Sequence, residues 1–542
     1  MYSISDSKYL MSIIDSLMKN SSVHDITYIG SILNDAEHFQ NIFYAEKPIG
    51  PLRFTPSVPL IPPKGSVIDA RTAGACCVMN ISEDCLSLRV ARSRGVNRNQ
   101  KVPVVVYLHG GGYCNFPCGL IFNEKNRRPC SASDVLYNPD GLVREAIGVG
   151  KAVIYVGVNY RLGFFGFATS KAMVEKKQTN AGLRDQRAAL EWVRDNIQDF
   201  RGDSNRASDI GLHLTSFNGT QGVPFQQAIN PTLVAKNTEV IAQKVNCILP
   251  GEDAQSLATL KCLQETSSDI LTNLSVTASR SARPPFSEGF FYPTIDGRPS
   301  ELVRAGKFVH NMPIIASWVT NDGAWYASPS TATDADVLAS LELWVPHLSG
   351  ATRKALLDLY PIMDFVHMVD HSGEGGLISP QYYRAAQMSR DIWFTCPVLD
   401  FTWQYSHNNN NNRRAKVWLY EHNATRYSPV FQAMGVSMWR VSHLSDIPYI
   451  LNNQNLGAGA DNSLGHLELS ETMSRQSPEE ISIQVFNGLK RSNEVVTATK
   501  GKQVRERSDI EQAVAWEKLF ERCEFINSPQ MRQEAGVRKL HL

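Results

Sequence analysis

The stretch that most constrains the fold of this chain runs from residue 180 to residue 217. In its first half, large apolar residues recur at spacings of three, four and seven, as on one face of an amphipathic helix: Leu183, Leu190, Val193, Ile197 and Phe200. From Arg201 to Asp209 the sequence contains no β-branched or large apolar residue, and a second helical segment begins near Ile210. The pattern therefore predicts no buried strand between the two helices.

Strong strand signals lie on either side of this stretch. Residues 102–108 and 152–158 are short, continuous, β-branched runs typical of buried strands, and residues 82–90 alternate towards their end like a half-buried strand. Later candidates are residues 313–319 and 415–420. Strands that alternate with helices predict an α/β fold with a largely parallel central sheet covered by helices on both faces.

The chain of 542 residues is long for one domain, but large α/β proteins grow by insertions into their loops. We expect residues 1–25 to form an N-terminal extension with one amphipathic helix, and residues 26–542 to form a single domain. The run of asparagines at 408–412 is typical of a surface-loop insertion, and no internal repeat is evident.

Composition and charge exclude some classes of function. The net charge of +1 gives no electrostatic reason to expect nucleic acid as a partner, and the basic residues near 490–507 are interspersed with acidic ones, as on a solvated helix face. No run of about 18 apolar residues is present, so we expect no membrane span. The first 20 residues lack a basic leading region, and Asp15 interrupts their apolar part, which does not fit a secretory signal.

Two features favour an oxidising compartment instead. Cys85 lies nine residues after Cys76 and eight after Cys77, and Cys247 lies fifteen residues before Cys262. Both spacings suit local disulfide loops, and the alternative is free thiols packed as small apolar side chains. Weaker support comes from five Asn-x-Ser/Thr sequons, at Asn20, Asn80, Asn218, Asn273 and Asn423.

Three candidate groups for chemistry follow predicted strands or stand alone. The glycines at 110–112 come directly after a strand and His109; their backbone N–H groups could stabilise a developing oxyanion, and the alternative is a flexible turn. Asp322 follows the strand at 313–319, where catalytic acids are found, although Asn-Asp-Gly is also a common turn. His443, one of thirteen histidines, is a candidate general base with little support from its local sequence alone.

Segments along the whole chain match the motifs of a known family, in the family's order. They read FQNIFYAEKPIGPLRF, SEDCLSLRV, VVVYLHGGGY, VNYRLGFFGF, NAGLRDQRAALEWVRDNIQDFRGD, FYPTIDG, VTNDG and VSHLSDIPYI. Through them the chain resembles the type-B carboxylesterase/lipase family, which includes fungal lipases, cholinesterases and the non-catalytic neuroligins. No single motif is specific, but their combination covers nearly the whole chain.

The resemblance implies an α/β-hydrolase fold and an ancestral hydrolysis of carboxylic esters through a Ser-His-Asp triad and an acyl-enzyme. Gly111 and Gly112 would form the oxyanion hole. Asp322 would be the triad acid, where many relatives carry Glu, and His443 would be the base. The implied substrate is a small-molecule or lipid ester, with no cofactor and no metal.

The resemblance also implies two disulfides. One joins Cys85 to Cys77, with Cys76 as the alternative to Cys77, and the other joins Cys247 to Cys262. These pairs and the family favour secretion, which the N-terminal sequence opposes. A missing first exon would reconcile the two.

At one place the chain departs from the family pattern. After an FGGDP motif, relatives carry an apolar strand and a Gly-x-Ser-x-Gly turn, the elbow, which presents the nucleophile. Here Asp203 is joined to Gly211 with about a dozen residues absent, and Gly-x-Ser-x-Gly occurs nowhere in the chain. Ser204 and Ser208 lie nearby, but neither has the flanking glycines of such a turn. We therefore expect the elbow strand to be deleted and the catalytic serine to be absent from this sequence.

Three hypotheses follow from this departure. In the first, the chain is of carboxylesterase descent and is inactive towards esters, because it has no serine to form the acyl-enzyme. In the second, it is a non-catalytic binding protein of the same fold, as the neuroligins are. In the third, it is a mis-spliced or mispredicted product of an active esterase gene, because the clean loss of one block resembles a skipped exon.

Overall fold

The computed structural model of the protein describes residues 18–20, 25–75, 82–94, 96, 101–110, 132, 135–208, 231–248, 253–281, 299–310, 314–370, 378–408, 417–453, 483–486, 494–496 and 518–535. Four of the residues predicted to form the site or its disulfides lie outside these ranges: Gly111, Gly112, Cys76 and Cys77. The same is true of most of the asparagine run at 408–412.

Three sheets contain the strands of the described residues. The strands are β1 (Met18–Asn20), β2 (Thr27–Ile29), β3 (Ser31–Leu33), β4 (Ala36–Phe43), β5 (Val67–Asp69), β6 (Ser87–Ser93), β7 (Val102–Leu108), β8 (Ile154–Val158), β9 (Gly202–Ser208), β10 (Ile314–Val319), β11 (Val417–His422), β12 (Ile483–Phe486) and β13 (Glu494–Val496). The sheet orders are β3-β4-β6-β8-β7-β9, β10-β11-β12-β13 and β1-β2-β5. Parallel pairs join β8, β7 and β9 in the first sheet and β10, β11 and β12 in the second. The predicted α/β fold with parallel central strands is confirmed.

The β-branched runs form the central strands, as predicted. In the register of β7 and β8, Val104 lies opposite Ile154 and Val106 lies opposite Val156. Val104, Ile154 and Val156 are completely buried. A parallel strand covered on both faces needs apolar side chains along its whole length, which explains why these strands could be located from sequence.

Strand β9 follows Arg201, in the stretch for which the sequence pattern predicted no buried strand. It runs parallel to β7, with Gly202 opposite Val102 and a register shift before Val104. A Cβ atom at Gly202 would lie 2.7 Å from Cγ2 of Val104 and 2.6 Å from Cγ1 of Ile197, so only glycine lets β9 begin this close to β7. Strand pairing uses backbone N–H and C=O groups, so a segment without large apolar side chains can still join a sheet.

Strands β9 and β10 stand at the ends of their sheets and, within the described residues, are not paired with each other. Strand β10 pairs on one side with β11. It exposes 56% of Ile315, a large apolar side chain in a strand that otherwise belongs to a central parallel sheet.

Helices pack around these sheets. They are α1 (Asp140–Gly148), α2 (Gly163–Phe167), α3 (Lys171–Glu175), α4 (Ala181–Asn196), α5 (Pro231–Lys244), α6 (Leu257–Glu265), α7 (Ser268–Ser281), α8 (Pro299–Arg304), α9 (Asp334–Trp344), α10 (Gly350–Asp358), α11 (Val366–Asp370), α12 (Pro380–Arg390), α13 (Cys396–His407), α14 (Ser428–Ala433), α15 (Ile447–Ile450), α16 (Leu519–Ile526) and α17 (Pro529–Glu534). A π-helical turn, Asp391–Thr395, joins α12 to α13. No helix in the described ranges combines the length and apolar character needed to cross a membrane.

Helix α4 is the predicted amphipathic helix. It begins after Asn180, whose φ of 58° is a left-handed conformation that asparagine tolerates. Val193 on the helix and Phe200 just after it join the main core with β6, β7 and β8. Asp185, on the same helix, is fully buried and accepts hydrogen bonds from Nε and Nη2 of Arg161 at 2.8 and 2.7 Å. This bidentate pair fixes the helix beside the end of β8 and leaves neither charge unpaired.

Near the end of the N-terminal extension, three described residues form a strand where the sequence predicted one amphipathic helix. Met18–Asn20 is strand β1 and pairs antiparallel with β2, with Lys19 opposite Tyr28. Backbone pairing with β2 therefore sets the conformation of these three residues. Residues 1–17 and 21–24 lie outside the described ranges.

Two disulfides lie within the described residues. Cys247 is bonded to Cys262, the pair that the sequence predicts, with Cα atoms 5.5 Å apart. Cys396 is bonded to Cys523 across 127 residues, and the sequence pattern did not indicate this pair. Cys85 is also disulfide-bonded, with its partner outside the described ranges.

Candidate active site

Asp322 lies in a tight turn at the carboxyl end of β10. Its backbone N–H donates to the carbonyl of Val319 at 3.2 Å, and its Oδ2 accepts the backbone N–H of Val319 at 3.0 Å. The residue is 4% exposed. A carboxylate that accepts a backbone N–H at the end of a buried strand is held in one orientation, because few other rotamers keep its oxygen paired.

The turn that carries Asp322 is packed directly on helix α12. A Cβ atom on Gly323 would lie 1.9 Å from the carbonyl oxygen of Ala386 and 2.4 Å from the backbone nitrogen of Arg390. Only glycine allows the two backbones to come this close. The hydroxyl of Tyr382, on the same helix, donates to the carbonyl of Ala324 at 2.9 Å. Helix α12 therefore fixes the position of the Asp322 carboxylate.

His443 reaches Asp322 from a different part of the chain. The segment before it lies along the end of β10, where the backbone N–H of Asn321 donates to the carbonyl of Val441 at 2.9 Å and Asn321 forms a parallel bridge with Ser442. Leu444, directly after His443, has a φ of 69°, an unusual conformation for leucine. Such local strain is found where the surrounding structure holds a side chain in place.

The imidazole of His443 and the carboxylate of Asp322 are hydrogen-bonded. Nδ1 of His443 lies 2.6 Å from Oδ1 of Asp322, and the side chains are 31% and 6% exposed. A carboxylate only accepts, so Nδ1 carries the proton, and in the neutral imidazole Nε2 is the acceptor. This is the orientation in which a histidine serves as a general base. The two predicted residues are thus brought together.

Three aromatic rings surround this histidine. The ring centroid of Phe394 lies 5.0 Å from that of His443, that of Trp325 lies 5.7 Å away, and that of Tyr326 lies 6.1 Å away. Trp325 and Tyr326 belong to the short helical turn after Gly323, and Phe394 belongs to the π-helical turn. π-Helical turns are rare and are often found at functional sites. None of the three rings was predicted, because their positions depend on contacts distant in sequence.

A second carboxylate, that of Asp446, contributes to the electrostatics of the pair. Burial and the nearby charge of Asp322 raise the pKa of Asp446 to about 6. The hydroxyl of Tyr420 lies 3.3 Å from Oδ2 of Asp446. Burial lowers the pKa of His443, but the hydrogen bond that His443 donates to Asp322 and the charges of Asp322 and Asp446 outweigh this effect, so the pKa is raised above that of an ordinary histidine.

A buried network holds the π-helical turn. Asp391 is completely buried and accepts hydrogen bonds from the hydroxyl of Tyr360 at 2.8 Å and from Nε of Arg390 at 2.9 Å. Nη1 of Arg390 also lies 3.2 Å from the carbonyl of Thr320, two residues before Asp322. At the other end of the turn stands the disulfide-bonded Cys396. The turn that presents Phe394 and the turn that presents Asp322 are therefore joined.

The strand end that precedes the predicted oxyanion hole is described, although Gly111 and Gly112 are not. His109 is buried, and its Nδ1 lies 3.0 Å from the carbonyl of Gly110. Tyr160 donates its hydroxyl proton to the carbonyl of His109 at 2.6 Å, and the two rings stack. Burial lowers the pKa of His109 to about 4, which keeps this imidazole neutral. The role of Gly111 and Gly112 stays a prediction.

The described residues contain no group of three or more histidine, cysteine, aspartate or glutamate side chains that could hold a metal ion.

A parallel sheet with flanking helices, and a histidine hydrogen-bonded to a carboxylate at the end of a strand, define an α/β-hydrolase fold. The chain belongs to the carboxylesterase family, whose model matches residues 28–211 and 220–477. Among solved structures, EstA of Aspergillus niger has a TM-score of 0.66 and 19% identity, over 94% of this chain and 99% of that one. A thermophilic PNB esterase has a TM-score of 0.63 and 20% identity, over 87% of this chain and 96% of that one.

Two fungal relatives are similar over most of the chain. An inactive carboxylesterase-like protein of Byssochlamys spectabilis is 32% identical over 468 residues, which cover 79% of this chain and 77% of that protein. A secreted lipase of Arthroderma benhamiae is 30% identical over 570 aligned positions, which cover 94% of each chain. The relatives thus include a protein described as inactive and a protein described as a lipase.

Proposed function

We propose that this chain is a carboxylesterase-family protein that has lost its serine nucleophile and does not hydrolyse esters through an acyl-enzyme. One observation carries the proposal: His443 and Asp322 form a hydrogen bond of 2.6 Å, while the sequence contains no Gly-x-Ser-x-Gly. A base and its acid are therefore in place without the elbow serine that they would activate.

The stretch after helix α4 supports this proposal. Strand β9 contains Ser204 and has Ser208 as its last residue, but its sequence, GDSNRAS, lacks the second glycine of an elbow. The match to the family model is interrupted between residues 211 and 220, just after this strand. One of the relatives is described as inactive, which agrees with the loss of activity within this family.

The ligand that fits this descent is a small-molecule or lipid ester. The relatives described as lipases favour this class, and so do the three aromatic rings around His443, which favour an apolar or aromatic ligand group. We also propose that the protein is secreted, because disulfides persist in oxidising compartments and the Arthroderma benhamiae lipase is described as secreted.

Labelling with a fluorophosphonate probe tests the loss of the nucleophile. We expect no labelling of the purified chain, and no change in the S204A and S208A variants. A positive control is the same chain with an apolar strand and a Gly-x-Ser-x-Gly turn inserted between Asp203 and Gly211. Stoichiometric labelling of the unmodified chain, lost in S204A or S208A, would show that a substitute nucleophile exists.

Strands β9 and β10 each stand at the end of a sheet and are not paired with each other within the described residues, which favours one other candidate, the incomplete product of an active esterase gene. Sequencing the transcript across the codons for residues 200–217 separates the two. A strand-and-elbow block in the transcript would make the full-length product an active esterase. A transcript that encodes the junction as it stands supports the serine-less protein. A cooperative thermal melt would then show that this protein folds, as a binding protein must.

A further inference from the structure

We propose that the His443–Asp322 pair retains an activity of its own: it activates water as the nucleophile and hydrolyses aryl esters in a single displacement, without an acyl-enzyme. This inference rests on the proposed function, because it applies to a chain without the elbow serine. It assigns His443 as a catalytic residue towards water and Asp322 as a positioning residue.

The geometry of the pair leaves the correct nitrogen for this role. Nδ1 of His443 is engaged with Asp322, and Oδ2 of Asp322 is in turn held by the backbone N–H of Val319. The imidazole cannot present Nδ1 to a substrate, so Nε2 is its basic nitrogen. The side chain is 31% exposed, so the imidazole is accessible to solvent. In an intact hydrolase the serine hydroxyl accompanies Nε2, and here a water molecule can take that place.

The surroundings of His443 make it a stronger base than a free histidine. Asp322 and Asp446 both stabilise the imidazolium, which raises the pKa of His443. Besides these two carboxylates, two titratable hydroxyls among the described residues lie near the pair, those of Tyr326 and Tyr420. Burial and nearby carboxylates raise the pKa of both, so they stay neutral across the working range of pH. The imidazole of His443 therefore lies near two carboxylates and neutral aromatic rings.

The aromatic rings select the substrate class. Phe394, Trp325 and Tyr326 lie with their centroids 5.0 to 6.1 Å from that of His443. Such rings favour an aryl group beside the reacting carbonyl, through edge-to-face and stacked contacts. An aryl ester also suits a site without an elbow, because phenolate is a much better leaving group than an alkoxide and needs less help from a general acid.

The hydrolysis requires only the aryl ester and water. Water attacks the acyl carbon and forms the new C–O bond, while Nε2 of His443 takes one water proton. The tetrahedral intermediate then expels the phenolate, which breaks the acyl–oxygen bond of the ester. The proton on Nε2 passes to the phenolate, so the products are a carboxylic acid and a phenol, and the imidazole is neutral again.

The test measures 4-nitrophenyl acetate hydrolysis by the full chain at pH 8, with H443Q and H407Q compared side by side. His407 is the matched control, because it is exposed on helix α13 and also stacks on an aromatic ring, that of Trp403, but its Nδ1 faces the carbonyl of Trp403 instead of a carboxylate. We expect H443Q to lose at least about tenfold in rate. H407Q should keep the full rate, and the wild type should turn over steadily without a burst and more slowly in D2O.

A second variant covers the case in which H443Q fails to fold. D322N leaves the imidazole in the wrong tautomer, so it should lower the rate and shift the pH–rate profile to lower pH, which a merely structural role would not do. Equal rates in wild type and H443Q, or equal losses in H443Q and H407Q, would overturn the inference and leave the proposed function intact. A stoichiometric burst of nitrophenolate with fluorophosphonate labelling would overturn both.

Discussion

Nδ1 of His443 lies 2.6 Å from Oδ1 of Asp322, although 121 residues separate the two in sequence. Their meeting depends on one strand end. Asn321, next to Asp322, donates its backbone N–H to Val441 and forms a bridge with Ser442, next to His443. The two loops therefore share a short backbone pairing, and the side-chain hydrogen bond forms because the backbones are already aligned. Nothing in this alignment requires the elbow serine.

The turn that carries Asp322 packs directly against the backbone of helix α12, so Gly323→Ala should destabilise the protein. The added methyl group would lie 1.9 Å from the carbonyl oxygen of Ala386, and one of the two backbones must move. Overpacking of this kind costs about 1–3 kcal/mol in the free energy of unfolding. Chemical denaturation measures this loss.

Gly350→Ala is the matched control for this change. Gly350 is the first residue of α10, and a Cβ atom there would meet nothing within 4 Å. The added methyl group should leave stability unchanged or slightly increase it, since alanine is the better helix former. A similar loss in both variants would contradict the specific role of the contact between Gly323 and helix α12.

Two adjacent tyrosines on α12 should respond differently to removal of their hydroxyls. Tyr382→Phe removes the hydrogen bond to the carbonyl of Ala324 and should lower the free energy of unfolding by about 0.5–1.5 kcal/mol, because this buried carbonyl in the turn after Asp322 loses its donor. Tyr383→Phe should be neutral or stabilising, because the buried hydroxyl of Tyr383 has no hydrogen-bond partner within the described residues. Paired thermal melts decide this, and a larger loss in the second variant would refute it.

Asp446→Asn should lower the pKa of His443, because the negative charge of Asp446 helps to raise it. The imidazole C–H signal in an NMR titration reports this pKa directly. Asp358→Asn is the control, since Asp358 lies exposed on α10 and pairs with Lys354 at 2.9 Å. The pKa of His443 should not move in the control, and an unchanged pKa in the first variant would refute the role of Asp446.

The stability of the same variant should depend on pH. The pKa of Asp446 is raised to about 6 in the folded protein, above the usual value of about 4 for an unfolded chain. The contribution of this carboxyl group to stability is therefore present below about pH 4 and is lost as the pH rises through 6. The stability of Asp446→Asn relative to the wild type should accordingly increase from pH 4 to pH 7. Denaturation at both pH values measures the change, and a difference that is constant with pH would exclude this linkage.

Much of the fold could be predicted because burial leaves a pattern in the sequence. Strand β7 occupies the predicted residues, and β8, β10 and β11 begin within two residues of theirs, since parallel strands covered on both faces need β-branched side chains throughout. Helix α4 was found from its apolar period. Strand β9 was not predicted, because its sequence, GDSNRAS, contains no β-branched run. It joins the sheet by backbone pairing, which leaves no such pattern in the sequence.

The site could be predicted only in part. Local sequence gave weak support to Asp322 and His443, and the resemblance to a family supplied their pairing. The rings of Phe394 and Trp325 and the close approach at Gly323 could not be foreseen, because they depend on how α12 and the π-helical turn pack on the end of β10. The pair Cys396–Cys523 spans 127 residues, so no local spacing indicated it, whereas the spacing of Cys247 and Cys262 did.

The two described disulfides should have different effects on the site when serine replaces their cysteines. The C396S/C523S variant should lose about 2–5 kcal/mol of stability and should also raise the pKa of His443. Cys396 lies two residues after Phe394, whose ring helps to bury His443, and burial is the one influence that lowers the pKa of this histidine. The C247S/C262S variant should lose stability too, but that bond belongs to a separate core cluster around Phe164 and Leu260. NMR titration of both double variants measures the pKa of His443. A raised pKa in C247S/C262S alone would show that the Cys396–Cys523 disulfide beside Phe394 does not influence this pKa.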